Sequence, residues 1–226
     1  MNKSEILPFA DSHREFPVRG YFHVPANASG DCLVITHGAG SNCQSQLLIA
    51  LATNFSDSGM TVLRCDLNYR QLRPHGPPPR GSAERDQEGL RSAIDAMRQK
   101  VLGRVFLGGH SYGGRQASML AASDATLVDA LLLLSYPLHP PNRPSELRTA
   151  HFPTLHTPAL FVHGARDAFG TNEELAAALK LIPARTELLT IENSGHELIT
   201  AKNRAYLSEM VPTAFAAFSS EGLPID

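Results

Sequence analysis

The sequence predicts an α/β protein with a mainly parallel central sheet and helices on both of its faces. Short apolar runs rich in β-branched residues alternate with longer amphipathic stretches, which is typical of parallel strands joined by crossover helices. Loops rich in Pro and Gly interrupt this alternation without changing its character. We therefore expect the 226 residues to form one domain, residues 1–226, that has no large lid domain.

The order of the predicted elements follows from these patterns. The predicted strands are Val18–Val24, Cys32–Thr36, Met60–Cys65, Arg104–Gly108, Ala130–Ser135, Ala159–Val162 and Thr186–Ile191. The predicted helices are Gln44–Ser58, Ala83–Lys100, Arg115–Ser123, Thr171–Leu181 and Lys202–Phe218. The first strand could pair antiparallel at one edge of the sheet. Residues 70–81 contain too much Pro and Gly for a helix or strand interior, so we expect a stiff loop there.

Composition and charge exclude several classes of function. The net charge is −2 and the pI is near 6.5, with no basic stripe, so nucleic acid is a poor candidate for a partner. The apolar runs are too short to span a membrane, and the start of the chain has no secretory signal pattern. The three cysteines show no metal-binding spacing. We expect free thiols in a reducing compartment, the cytoplasm.

The segment Gly109-His-Ser-Tyr-Gly113 carries the strongest sign of chemistry. It lies where an apolar strand is expected to turn sharply into a helix, with Ser111 projecting from the strand end. Such a turn crowds the backbone, so the residues two before and two after the serine must lack a Cβ atom, and Gly109 and Gly113 do. Ser111 is therefore the candidate nucleophile.

A serine at neutral pH needs a general base within hydrogen-bond reach. His196 follows the last predicted strand and precedes the last helix, so it is expected at the same edge of the sheet as Ser111. The chain has ten histidines, and His196 is distinguished from the others by this position.

The base in turn needs a carboxylate that holds the imidazole in the required tautomer. Asp167 follows the strand Ala159–Val162, and the chain order Ser, Asp, His is the one that this kind of site uses. The segment after the preceding strand, residues 135–141, contains no Asp or Glu, which favours Asp167. Glu146 is the weaker substitute, and Asp167 could instead cap a turn or pair with Arg166.

Acyl transfer also needs N–H donors for the oxyanion that develops in the transition state. The segment His37-Gly-Ala-Gly40 follows an apolar strand, and its small residues allow the backbone to approach a bound carbonyl. We expect the backbone N–H groups of Ala39 and Tyr112 to form the oxyanion hole, with Gly38 as the alternative to Ala39.

These motifs together resemble the α/β-hydrolase superfamily along nearly the whole chain. Within it, the chain is similar to the compact dienelactone-hydrolase-like group. The segments Thr36-His-Gly-Ala-Gly40 and Phe161-Val-His-Gly-Ala-Arg-Asp-Ala-Phe-Gly170 are similar to a branch that includes relatives of a subunit of an animal chromatin-associated acetyltransferase complex. The resemblance implies an eight-stranded sheet, whose first strand could be shortened here, and cofactor-free hydrolysis of an ester-like bond. Dienelactone hydrolases proper use cysteine where this chain has Ser111, so their substrate does not carry over.

The function predicted first is that of a serine hydrolase acting on a small ester, thioester or related acyl bond. The expected partner is a small-molecule acyl substrate, with no cofactor, metal, nucleic acid or membrane, and the expected state is a monomer or homodimer. Two alternatives stay open. One is an acyltransferase or haloperoxidase-like enzyme with the same three residues, and the other is a non-catalytic interaction module, since some relatives act as scaffolds.

Other residues are expected to have structural roles. Cys43 is expected to be a buried, inert thiol, Asp66 a turn residue, and His110 a residue that packs beside the sheet. Prolines flank His151 and His156, which do not share a helical face and so are not expected to bind metal. Arginines in and after the Pro-rich loop are expected to be solvated, the alternative being an anion-binding rim; they are Arg70, Arg73, Arg80 and Arg85.

Overall fold

A computed structural model describes residues 4–221. Residues 1–3, which are part of the segment searched for a secretory signal, and residues 222–226 lie outside the described residues. The strands are β1 (Glu5–Asp11), β2 (Val18–Val24), β3 (Cys32–Thr36), β4 (Thr61–Cys65), β5 (Val105–His110), β6 (Ala130–Leu134), β7 (Ala159–Gly164) and β8 (Thr186–Ile191). The helices are α1 (Gln46–Asp57), α2 (Asn68–Leu72), α3 (Ala83–Arg98), α4 (Tyr112–Ser123), α5 (Asn172–Leu179) and α6 (Arg204–Ser220), with one 3-10 turn at Phe152–Thr154.

The eight strands form one sheet in the order β1-β2-β4-β3-β5-β6-β7-β8. Strands β3 to β8 run parallel, and β2 is antiparallel to both β1 and β4. All seven predicted strands are present, and Val18–Val24 is antiparallel as expected, although β1 rather than β2 is the edge. The parallel arrangement brings the C-terminal ends of β3, β5, β7 and β8 to the same edge of the sheet.

The prediction missed β1, and the first strand is not shortened. It pairs with β2 over seven residues, from Glu5 opposite Val24 to Asp11 opposite Val18. Its side chains are mostly exposed and Pro8 lies in its middle, which is tolerated because β1 is an edge strand with one unpaired side. The segment therefore lacks the apolar alternation that marks a half-buried strand.

Helices cover both faces of the sheet, as predicted. Helices α1 and α6 pack on one face, where Phe55, Phe106 and Phe215 meet edge to face. Helices α3, α4 and α5 cover the other face, where Leu90 and Leu120 belong to the same buried cluster. None of the helices within residues 4–221 is both long and apolar enough to cross a membrane.

Two differences from the predicted helices matter for the site. Helix α4 begins at Tyr112, directly after Ser111, three residues earlier than predicted. The short helix α2 occupies Asn68–Leu72, so the Pro-rich loop begins after it and not at Arg70. A single turn with two buried polar side chains gives too little periodicity for the sequence to reveal it.

Candidate active site

Ser111 lies in a strained turn between β5 and α4. Its backbone has φ 52° and ψ −115°, a region that residues with side chains rarely adopt and that is found at functional sites. The two glycines are required by close packing, as predicted. A Cβ atom on Gly109 would lie 2.5 Å from the carbonyl carbon of Gly113, and one on Gly113 would lie 2.5 Å from the carbonyl oxygen of His37.

The structure brings Ser111, His196 and Asp167 into one hydrogen-bonded chain. The Ser111 Oγ atom lies 2.7 Å from His196 Nε2, and His196 Nδ1 lies 2.8 Å and 3.0 Å from the two carboxylate oxygens of Asp167. An ionised carboxylate only accepts hydrogen bonds, so Nδ1 carries the imidazole proton. Nε2 is then free to accept the hydroxyl proton of Ser111, which is the orientation that a general base needs.

Asp167 is held as an ionised group by its surroundings. Its side chain is completely buried, and its Oδ1 atom also accepts a hydrogen bond of 2.8 Å from the N–H of Phe169. Burial raises the pKa of the carboxyl, but the hydrogen bonds from His196 and Phe169 and the nearby imidazoles lower it, so that the net pKa falls below its ordinary value of 3.8. Asp167 therefore does not merely cap a turn, and Arg166 instead donates to the side chain of Asn193.

Phe169 and His110 support His196, and the sequence did not predict this role for either residue. The ring of Phe169 stacks on the imidazole, with centroids 4.1 Å apart and an angle of 29° between the rings. The buried His110 lies with Nε2 2.8 Å from the carbonyl oxygen of His196, so it donates to the backbone of the loop that carries the base. Burial lowers the pKa of His110, which keeps this second imidazole neutral. The only sequence signals were the position of His110 in the turn motif and that of Phe169 two residues after Asp167.

The two predicted oxyanion donors come from separate elements, the start of α4 and the loop after β3. Tyr112 is the first residue of α4, where backbone N–H groups have no partner within the helix. The carbonyl of Gly38 accepts hydrogen bonds from His37 Nδ1 and from the N–H of Ser41. Because N–H and C=O point in opposite directions across a trans peptide, the N–H of Ala39 points away from these partners. A Cβ atom on Gly38 would lie 3.4 Å from that of Ser111, so this loop contacts the nucleophile.

A second serine–histidine contact occurs in α4, in different surroundings. The Ser118 Oγ atom lies 2.8 Å from His151 Nε2 and also donates to the carbonyl of Arg115. Ser118 is fully buried, and burial lowers the pKa of His151 to about 4. The hydroxyl of Ser118 is therefore closed to solvent although His151 is partly exposed, whereas Ser111 and His196 are both partly exposed.

The remaining candidates fall outside the site. Cys43 is buried, and burial raises the pKa of its thiol to about 12, so it is inert as expected. Asp66 accepts a hydrogen bond from the N–H of Cys43 and pairs with Arg19. Glu146, the weaker substitute for Asp167, pairs with Arg143 at the surface. Within residues 4–221, His, Cys, Asp and Glu side chains do not gather in groups of three or more that could hold a metal ion.

One expectation about the arginines was wrong. Arg70 is only 3% exposed, neither solvated nor part of a rim, and its guanidinium donates to the backbone carbonyls of Ala39, Ser41, Arg73 and Gly76. A planar group with five donors can satisfy several carbonyls at once, which explains how the charge is buried here without a carboxylate. The other three arginines of this cluster are exposed, as expected; they are Arg73, Arg80 and Arg85.

Solved structures share this fold across nearly their whole length. A dienelactone hydrolase from Anabaena variabilis is 20% identical, with a TM-score of 0.75 over 96% of this chain and 99% of that chain. Est1E from Butyrivibrio proteoclasticus is 15% identical, with a TM-score of 0.75 over 95% of this chain and 99% of that chain. An α/β serine hydrolase without a lid, from Xanthomonas campestris, is 16% identical, with a TM-score of 0.72 over 100% of this chain and 98% of that chain.

The family assignment rests on the sequence itself. A family described as "Alpha/beta hydrolase domain" matches residues 29–220, which include all of the site residues discussed above. The chain belongs to this alpha/beta hydrolase family.

Proposed function

We propose that the protein is a serine hydrolase that cleaves ester-like acyl bonds through Ser111, His196 and Asp167. The observation that carries the proposal is the unbroken hydrogen-bonded chain from the Ser111 hydroxyl through the imidazole to the buried carboxylate. The contact between Ser111 and His196 is open to solvent, so a substrate can reach it.

In the first half of the reaction, His196 Nε2 takes the proton of Ser111 as the hydroxyl oxygen attacks the substrate carbonyl carbon. The N–H groups of Tyr112 and Ala39 stabilise the negative charge on the carbonyl oxygen. The tetrahedral intermediate then collapses. The bond to the leaving group breaks, the protonated imidazole gives that group its proton, and the acyl group stays on Ser111.

In the second half, water replaces the leaving group. His196 takes a proton from the water as it attacks the acyl-enzyme, and the acid product leaves when the proton returns to Ser111 Oγ. Asp167 stays ionised throughout and stabilises the imidazolium that forms in each half. The low pKa of its carboxyl suits this role.

The short segment between β6 and β7 supports the proposed substrate class. The segment between β6 and β7, residues 135–158, contains one 3-10 turn and is too short for a lid domain. An open site of this kind suits small esters and thioesters better than long acyl chains, which need an enclosed apolar tunnel. Est1E, one of the structural relatives, has been solved with ferulic acid bound.

The place of action is proposed from the thiols. Cys32, Cys43 and Cys65 are all free and buried, which is expected of a protein in a reducing compartment. We place the protein in the cytoplasm on this basis.

The test is hydrolysis of p-nitrophenyl esters from acetyl to palmitoyl. The wild type should turn over the acetyl and butyryl esters fastest, and Ser111→Ala should lose all enzymatic turnover. Ser118→Ala is the matched control, because it removes the hydroxyl of the other serine–histidine pair, and it should keep the activity. Equal activity in wild type and Ser111→Ala would refute the mechanism, and faster turnover of palmitoyl than of acetyl esters would refute the substrate class.

A further inference from the structure

Asp86 is a buried carboxylate that the reaction does not use directly. It lies in the first turn of α3 and is 0% exposed, and within residues 4–221 no Lys or Arg side chain pairs with it. Instead, Oδ1 accepts from the N–H of Tyr69, and Oδ2 accepts from the hydroxyls of Tyr112 and Ser82, at 2.8, 2.8 and 3.2 Å. A buried acid that collects this many donors in place of a cation organises the groups around it.

One branch of these contacts leads to the first oxyanion donor. Tyr112 supplies its backbone N–H from the start of α4, and its side chain is fixed at the far end by the 2.8 Å hydrogen bond to Asp86. The ring of Tyr112 also meets that of Tyr69 edge to face, with centroids 5.9 Å apart. The residue that follows the nucleophile is therefore anchored through its side chain as well as through the helix.

The second branch leads to the other donor. Asp86 fixes the backbone of Tyr69, and the Tyr69 hydroxyl donates to the carbonyl of Ala39 at 2.6 Å. Arg70 donates to the same carbonyl at 3.1 Å and to that of Ser41 at 2.7 Å. Residues 37–45 have no helix or strand of their own, so these bonds orient the peptide groups of the loop.

Rotation of this loop would turn the Ala39 N–H away from the substrate. The Tyr69 hydroxyl and the Arg70 guanidinium donate to the Ala39 carbonyl, which fixes the peptide group after Ala39. The peptide group that carries the Ala39 N–H is held through the Gly38 carbonyl, which accepts from His37 Nδ1 and from the N–H of Ser41 and lies 3.4 Å from the Tyr69 hydroxyl. Donors contribute to catalysis only if they are aligned before charge develops, because reorienting them during the reaction costs free energy.

We propose that Asp86, Tyr69 and Arg70 are positioning residues that together hold both oxyanion donors, Tyr112 and Ala39, in the geometry that the transition state needs. The inference rests on the proposed function, and it assigns to one buried network the alignment of two donors that come from separate elements. The network predicts that its loss lowers the rate of the chemical step more than it lowers substrate binding.

The experiment compares two conservative variants that each remove one buried hydroxyl. Tyr69→Phe removes the hydrogen bond to the Ala39 carbonyl, and Tyr136→Phe removes a hydroxyl that donates to the carbonyl of Arg148, also at 2.6 Å. The readouts are kcat and KM for p-nitrophenyl acetate, the affinity for a phenylboronic acid that forms a tetrahedral adduct on Ser111, and Tm.

Tyr69→Phe should lower kcat on the order of tenfold with KM little changed, and should weaken boronate binding by a similar factor. Asp86→Asn should lower kcat further, because its amide replaces one acceptor oxygen by an N–H donor. Either the hydrogen bond accepted from the Tyr69 N–H is lost, or the Tyr112 hydroxyl has to reorient and accept. Tyr136→Phe should lower Tm by about as much as Tyr69→Phe does, with kcat unchanged.

Two outcomes overturn the inference, and they are distinguishable. An active wild type whose kcat and boronate affinity are unchanged in both Tyr69→Phe and Asp86→Asn would show that the network is only structural. A folded wild type that neither turns over the ester nor binds the boronate would refute the proposed function, and the positioning role with it.

Discussion

Asp167 and Asp86 are both buried carboxylates next to the nucleophile turn, and their surroundings give them opposite properties. Asp167 accepts from an imidazole that can become a cation, and its pKa is lowered. Asp86 accepts from two hydroxyls and a backbone N–H, and burial raises its pKa although those hydrogen bonds lower it.

The difference separates two tasks that acyl transfer requires. A carboxylate that stabilises a charge appearing on its partner must itself stay charged, and the His196 contact favours this. A carboxylate that only orients neutral donors needs several hydrogen bonds in fixed directions and no cation. In the proposed mechanism, one side of Ser111, with His196 and Asp167, moves protons, and the other side, with Asp86, Tyr69 and Arg70, aligns dipoles.

The greatest loss of kcat is expected from a substitution on the proton-moving side. Asp167→Asn should lower kcat about 10⁴-fold, because its amide group can donate to Nδ1 and so leave the imidazole proton on Nε2. A protonated Nε2 cannot accept the proton of Ser111. Measurement of kcat and KM with a short ester checks this, with circular dichroism to confirm folding. The fall in kcat should be far smaller in Asp86→Asn. A larger fall in Asp86→Asn than in Asp167→Asn would contradict the assignment of tasks.

The pH dependence of the free energy of unfolding is expected to differ between the two sides of Ser111. His37 donates to the carbonyl of Gly38 in the loop of residues 37–45. Burial lowers the pKa of its imidazole from 6.5 to about 4. Folding therefore favours the neutral form, whose stabilising contribution is complete above about pH 6.5 and is lost as the pH falls towards 4. The contribution of Asp167, whose pKa is lowered from 3.8, is lost only below about pH 4.

Urea denaturation at pH 7 and pH 4 measures this difference. The free energy of unfolding of the wild type should fall by roughly 3 kcal/mol from His37 alone. The fall should be smaller in His37→Gln, which has no titrating group at this position. An equal fall in both proteins would contradict the role given to the neutral imidazole.

The smallest effect concerns the ring that supports the base. Phe169→Ala removes the stacking on His196 but leaves the backbone N–H that binds Asp167. We expect kcat to fall by about three- to tenfold, since aromatic pairs of this kind contribute about 0.5–1.5 kcal/mol. The kcat of Phe169→Leu should lie between those of Phe169→Ala and the wild type. A kcat of Phe169→Ala equal to that of the wild type would show that the loop alone holds the imidazole.

The proton-moving side was predictable from the sequence and the aligning side was not. Ser111 and Asp167 each follow a buried strand and His196 follows the half-buried strand β8, and the parallel arrangement alone brings such positions to one edge. Asp86 lies within a helix, and Tyr69 and Arg70 lie in the single turn of α2. Their roles depend on how α3 and the β3–α1 loop pack together, and no local pattern encodes that contact.

The burial of Arg70 shows the same limit. Next to a Pro-rich segment, an arginine is expected to face solvent, because burying a charge without a partner is costly. The structure supplies backbone carbonyls from two loops as partners, and those loops meet only in the folded chain. The edge strand β1 was missed for a different reason. Its side chains are mostly exposed, so its residues do not alternate between apolar and polar as those of a half-buried strand do.

Fluorophosphonate labelling of the native protein, followed by peptide mapping, shows whether Ser111 is an activated nucleophile. We expect one adduct per chain, located on Ser111, absent from Ser111→Ala and retained in Ser118→Ala. A folded wild type that stays unmodified, or an adduct on any other serine, would contradict the role proposed for Ser111.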